Sequence, residues 1–146
     1  MNLNPDFKEF VKLLIENKVE YLIVGGYAVG IHGYPRYTGD LDIWINDINE
    51  NAKLVLKCVE DFGFESYNLS VSDFTKPGNI IQLGYPPVRI DIINQVDGVN
   101  FAECFKNKKE VIADDLILYF IGYDDLLINK KTTSRPRDID DIENLT

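Results

Sequence analysis

The chain has 146 residues, enough for one domain (1–146) that buries about two thirds of its unfolded surface without metals or disulfides. Its 45% hydrophobic, 27% charged and 12% aromatic residues exclude the disordered, collagen-like and disulfide-scaffold classes. A net charge of −9, from 24 acidic and 15 basic residues, speaks against duplex DNA as a partner, because non-specific affinity for a polyanion comes from Lys and Arg on its phosphates; a small anionic substrate stays open if a cation mediates.

No apolar run approaches the ~18 residues of a membrane span, and Met1 to Asp6 lacks the basic-then-apolar pattern of a signal peptide. The expectation is therefore a soluble, cytoplasmic protein with no membrane partner. In that compartment Cys58 and Cys104, 46 positions apart and outside any CxxC or Cys/His pattern, read as small apolar residues.

Asn4 and Pro5 suit the N-cap and first position of a helix, and Phe7, Phe10, Val11, Leu14 and Ile15 carry helical spacing over residues 5 to 17. Tyr21 to Val24 is a continuous apolar run stopped by Gly25-Gly26, the pattern of a central strand covered on both faces. A short apolar segment with Ala28, Val29 and Ile31 leads to a Gly33-Tyr34-Pro35 turn. Leu41, Ile43 and Ile45 then alternate with Asp40, Asp42 and Trp44, which predicts a strand with two unlike faces. Ala52, Val55, Leu56, Val59 and Phe62 form an amphipathic helix ending near Gly63, and Ser66 to Pro77 reads as a polar loop with at most a short strand. Ile80 to Leu83 and Val88 to Ile93 flank a Tyr85-Pro86-Pro87 turn as successive strands. A short helix near 101–105, a strand near 116–121 and helices over 123–130 and 136–145 complete the chain. The last helix has apolar positions Ile139, Ile142 and Leu145, with Asp138, Asp140 and Asp141 near its start complementing the dipole. The expected class is α/β (α+β), a mixed sheet with flanking helices.

Side chains alternate faces along a strand, so Asp40 and Asp42 share one patch, and the same rule sets Arg89 and Asp91 opposite Val88, Ile90 and Ile92. Two such charges ~4 Å apart repel by about 4 kcal/mol at an effective dielectric near 20. A cation between them would relieve this, and oxygen-only ligands without His or Cys favour Mg²⁺ or Mn²⁺. Gly25-Gly26, opening a helix, offers backbone N–H groups to a phosphate; no Walker-type GK[ST] follows. If the strands of Tyr21 and Leu41 run antiparallel, Gly26 and Asp40 meet at one edge of the sheet. That pairing suits phosphoryl or nucleotidyl transfer.

Val24-Gly25-Gly26, thirteen residues (27 to 39), Asp40-Leu41-Asp42-Ile43 and a distant Asp91 resemble the signature of the DNA polymerase beta-like nucleotidyltransferase superfamily. The string GGYAVGIHGYPRYTGDLDIWI and the stretch Asp125 to Leu145 resemble its small bacterial members, which include lincosamide-type antibiotic nucleotidyltransferases and those of abortive-infection and toxin–antitoxin systems; the resemblance spans residues 20 to 145. It implies a nucleotidyltransferase-like fold and transfer of a nucleoside monophosphate from a nucleoside triphosphate, ATP among the donors, to a hydroxyl of an antibiotic, protein or RNA. Asp40, Asp42 and Asp91 would be the catalytic, metal-holding acids, and Gly25, Gly26, Lys130 and Arg137 would lie at the nucleotide. Many relatives carry Ser where this chain has Gly26, so no side-chain hydroxyl comes from that position. A homodimer or partner protein is expected beside the site, because the chain lacks the additional helical domain with which larger relatives enclose the acceptor. The alternative is a noncatalytic, nucleotide-binding antitoxin-like partner.

Competing readings attach to single residues. Arg89 could pair with Asp91 across a solvent face. His32, the one histidine, reads as a packing residue, and Trp44 as buried against a helix. For Arg36, anion binding and a plain surface charge both stay open. Arg135 and Arg137 stand at a helix N-terminus, where cations are disfavoured.

Overall fold

The computed structural model describes residues 3–146. Its centre is a six-stranded mixed sheet in the order β3-β4-β2-β1-β6-β5, with β1 Tyr21–Val24, β2 Asp40–Ile45, β3 Ile80–Tyr85, β4 Val88–Ile93, β5 Lys109–Ala113 and β6 Leu116–Phe120. Strand β1 is antiparallel to β2 and parallel to β6, and β2 is parallel to β4. All four residues of β1 are buried, as its uninterrupted apolar run requires of an interior strand.

Helix α1, Pro5–Glu16, starts where the Asn4 side chain accepts the Asp6 N–H at 2.8 Å, and buries Phe7, Phe10, Val11 and Leu14. Helix α2, Gly25–Ile31, follows β1 directly, and α3, Asn49–Val59, runs on into a π turn over Glu60–Phe64 in which Gly63 has φ 108°. Phe62 of that turn meets Phe10 edge-on, and Cys58 donates to the Leu13 carbonyl, fastening α3 to α1. Buried Asn51 accepts the Glu20 N–H and donates to the carbonyls of Glu20 and Asn46, so the start of α3 is pinned to the ends of β1 and β2.

Between Ser66 and Pro77 the chain forms a short turn, Glu65–Tyr67, and a five-residue helix α4, Val71–Thr75, instead of a loop or strand. Ser70 caps α4 reciprocally with Asp73, and Phe74 anchors it in the core. Helix α5, Phe101–Lys106, sets Phe101 edge-on against Trp44, which is 1% exposed and whose Nε1 lacks a hydrogen-bond partner among the described residues. The packing use of Trp44 is thus the observed one. Helices α6, Tyr123–Thr133, and α7, Pro136–Leu145, close the chain. The inner face of α7 carries wholly buried Asp138 and Asp141 beside partly buried Ile142 and Leu145, while Ile139 of the expected apolar stripe is 48% exposed. No helix is long and apolar enough to cross a membrane among the described residues.

Candidate active site

Register assembles the acids. Val24 pairs with Asp42, and Asp42 with Asp91, so β1, β2 and β4 set these residues side by side on one face; one step along, Asp40 lies beside Arg89. Asp42 is pushed up to about 7, first by burial and then by the charges of Asp91 and Asp40, with Arg89 and Lys130 pulling the other way. Gly25, at φ +68°, closes in on it: a Cβ there would overlap Asp42 Oδ2. Only glycine fits both the backbone and the approach.

Arg89 spans the other two acids. Its Nη2 donates to Asp40 Oδ2 at 2.6 Å and to Asp91 Oδ2 at 3.1 Å, and its Nε to Asp91 Oδ1 at 2.9 Å. The bond to Asp91 and the surrounding carboxylates raise the guanidinium pKa further. The pairing anticipated for Arg89 and Asp91 therefore exists, and it extends to Asp40.

Mg²⁺ needs oxygens at about 2.0–2.1 Å, so the spacing around Arg89 suits a guanidinium, and no group of three metal-type side chains converges among the described residues. The chemistry of the donors nonetheless fits a divalent ion, since they are hard oxygens only and Asp42, which has no ion-pair partner among the described residues, faces two like charges.

Beside the acids lies a cavity of about 280 Å³ lined by Gly25, Gly26, Arg36, Thr38, Lys130 and Arg137, among others. Helix α2 has only seven residues, so positive potential here comes mainly from the side chains. Arg36 binds Asp141 through Nε and Nη2 at 3.0 and 3.1 Å, and Lys130, 5% exposed, binds Asp138 at 3.3 Å and Asp141 at 3.0 Å. Arg135 binds Asp138 and so has a structural partner, whereas Arg137 makes no ion pair among the described residues. Burial alone would raise Asp138, but bonds from Arg135, Thr133 and Lys130 outweigh it and hold the carboxyl well below the usual range.

Sequence reasoning passed over Thr38. Its Oγ1 would lie 2.5 Å from a Cβ on Gly26, so the threonine fills the space a side chain at position 26 would take and brings a hydroxyl there. The signal was the period of two, which puts Thr38 in phase with Asp40 and Asp42.

A larger cleft, about 730 Å³, opens on the other side of Asp42 and is lined by Ile80, Ile93, Gln95, Asn129 and Thr133; Gly25, Asp42, Lys130 and Arg135 border both spaces. His32 stands apart, its Nε2 2.7 Å from the Ile121 carbonyl and its ring against Tyr123, consistent with packing. Burial pushes the thiols of Cys58 and Cys104 up to about 11 and 12, so neither is a nucleophile near neutral pH.

A mixed sheet of this order with helices around an acid-bearing strand pair defines a nucleotidyltransferase-like fold, and solved structures agree. Lincosamide antibiotic adenylyltransferase LnuA, lincomycin-bound, aligns over 99% of this chain and 98% of its own with TM-score 0.58 and 18% identity. A putative nucleotidyltransferase from Thermotoga maritima aligns over 94% and 88% with TM-score 0.63 and 14% identity. ANT(2")-Ia, in complex with adenylyl-2"-tobramycin, aligns over 95% and 84% with TM-score 0.60 and 12% identity. Among curated protein sequences nothing matches the chain. The family model described as "Nucleotidyltransferase of unknown function (DUF6036)" matches residues 5–146, and the chain belongs to that family.

Proposed function

We propose that the chain, acting as one domain, is a metal-dependent nucleotidyltransferase that moves a nucleoside monophosphate from a nucleoside triphosphate to a hydroxyl. The observation that carries this is the register row Val24–Asp42–Asp91, which sets two carboxylates beside the Gly25 turn and a cation-lined cavity. The triphosphate lies along Gly25 and Gly26, met by Arg36, Lys130 and Arg137. Asp40, Asp42 and Asp91 hold Mg²⁺ or Mn²⁺, which when bound polarises the phosphoryl oxygens and lowers the pKa of the attacking hydroxyl. Asp91, on the strand farther from the glycine turn, completes the site and either shares the ion at the attacking oxygen or takes that oxygen's proton as pyrophosphate leaves. The acceptor class follows the ligands of the structural neighbours, lincomycin and adenylyl-2"-tobramycin, so a small polyhydroxylated compound is the first to try.

Incubation with each labelled triphosphate, Mg²⁺ and either aminoglycosides, lincosamides or cell lysate tests the reading; a labelled acceptor is the expected product. One observation favours a second reading, a nucleotide-binding partner protein without turnover: Arg89 holds two of the three acids. Nucleotide binding with a co-purifying protein and no labelled acceptor would decide for it.

A further inference from the structure

We propose that Arg89 is the resident counter-cation of Asp40 and Asp91, and that a divalent cation enters this site only by displacing it. The inference rests on the metal-dependent reading above. A guanidinium stays charged at every working pH and presents a fixed fork of donors. Here one nitrogen of that fork, Nη2, is shared between a carboxylate oxygen of β2 and one of β4, while Nε holds the second oxygen of Asp91. The fork occupies oxygens of both strands' carboxylates at 2.6 to 3.1 Å, hydrogen-bond distances rather than the roughly 2.0–2.1 Å of Mg²⁺ ligation, so the same oxygens cannot serve both cations at once. Ligation and the Arg89 clamp thus exclude each other at Asp40 and Asp91.

The surroundings let the arginine leave. Its side chain is 24% exposed, and its register partner on β3 is Gly84, which has no side chain to block the swing. Rotation about the side-chain bonds breaks no strand pairing. The clamp also accounts for how three carboxylates persist side by side without metal: one cation bridges the outer pair. A dication brings twice the charge and replaces it.

A site that must first open binds with an affinity reduced by the fraction of open molecules, so a clamp closed in nine of ten or more molecules weakens ion binding about tenfold or more. Titration calorimetry with Mn²⁺ alone, no nucleotide present, tests this on the wild-type chain, Arg89→Gln, Arg89→Lys and Asp42→Asn. Expected is a tenfold or larger tightening for Arg89→Gln, a metal-free Tm below wild type, and recovery of that Tm on adding Mn²⁺. Lysine reaches one carboxylate at a time, so Arg89→Lys should fall between wild type and Arg89→Gln. Arg89→Gln at or below wild-type affinity overturns the clamp, and if Arg89→Gln does not fold, wild-type affinity in Arg89→Lys does so. Loss of Mn²⁺ binding in Asp42→Asn alongside unchanged Arg89 variants rejects the clamp and keeps the metal site. Absence of Mn²⁺ binding to every chain rejects both.

Discussion

Arg36 and Asp141 meet through two parallel hydrogen bonds of 3.0 and 3.1 Å across 105 residues of chain, with the Asp141 carboxylate fully buried. Asp141 also holds Lys130, and Tyr34 donates to Asp140 at 3.0 Å. The final helix is thus tied by ions to the segment that leads into β2. Removing one partner of a buried pair leaves the others uncompensated, at a cost of about 3 to 5 kcal/mol. Asp141→Asn, which keeps the volume, should lower the urea midpoint accordingly; a loss below about 0.5 kcal/mol would mean the pair is effectively solvated.

Asp42→Asn should abolish transfer yet stabilise the metal-free protein. With a folded pKa near 7 against an ordinary 3.8, the folded state keeps a proton the unfolded chain has lost across that window. Stability therefore falls as pH rises from about 4 to 7, and the penalty is full above it. In chelator the variant should gain up to about 4 kcal/mol near pH 8, read as a rise in Tm, and nothing near pH 4. A gain independent of pH would remove Asp42 as the source.

Arg137, exposed and without an ion pair among the described residues, is free to act on a ligand. Arg137→Ala should weaken triphosphate binding by about 1.5 to 3 kcal/mol, the value of a hydrogen bond to a charged group, with Tm nearly unchanged. Calorimetry giving wild-type affinity would return it to the surface.

Nucleotide binding itself should need the ion, because the single charge of Arg89 leaves the Asp40, Asp42 and Asp91 cluster net negative towards the triphosphate. Equal ATP and GTP affinities with Mg²⁺ and with chelator would contradict this.

Gly25→Ala adds one methyl where Asp42 already stands. Strain at positive φ, of order 1 kcal/mol, adds to the displacement of that carboxylate, so both Tm and turnover should fall. A crystal structure of the variant with Asp42 unmoved would refute the steric account.

What the sequence could announce was whatever a local period encodes. Strands β1 and β2 and helix α1 each carry an apolar pattern that matches their burial, whereas in β4 the alternation holds at Ile90 and Ile92 but Asp91 is buried as well. Strand β5 was missed because it is an edge strand with only Ala113 buried, so Lys109-Glu110-Val111-Ile112 shows no face. Helix α7 misled for the opposite reason: its most buried positions are the carboxylates Asp138 and Asp141, whose partners are Arg36 and Lys130 from earlier in the chain and Arg135 at the helix's own N-cap. Period two was enough to put Asp40 and Asp42 on one face, but the contact of both Asp40 and Asp91 with Arg89 depends on the β2–β4 register, which no local pattern fixes.

Trp44, the sole tryptophan, stands two residues from Asp42 on the same strand, beside Ile93 in register and against Phe101. The protein therefore carries a built-in fluorophore whose indole is dry and whose nearest charged face is the one that would receive ion and nucleotide. Selective excitation gives a single emitting centre, so a spectral change on titration reports the cleft itself, and a red shift on heating reports solvent reaching the middle of the sheet.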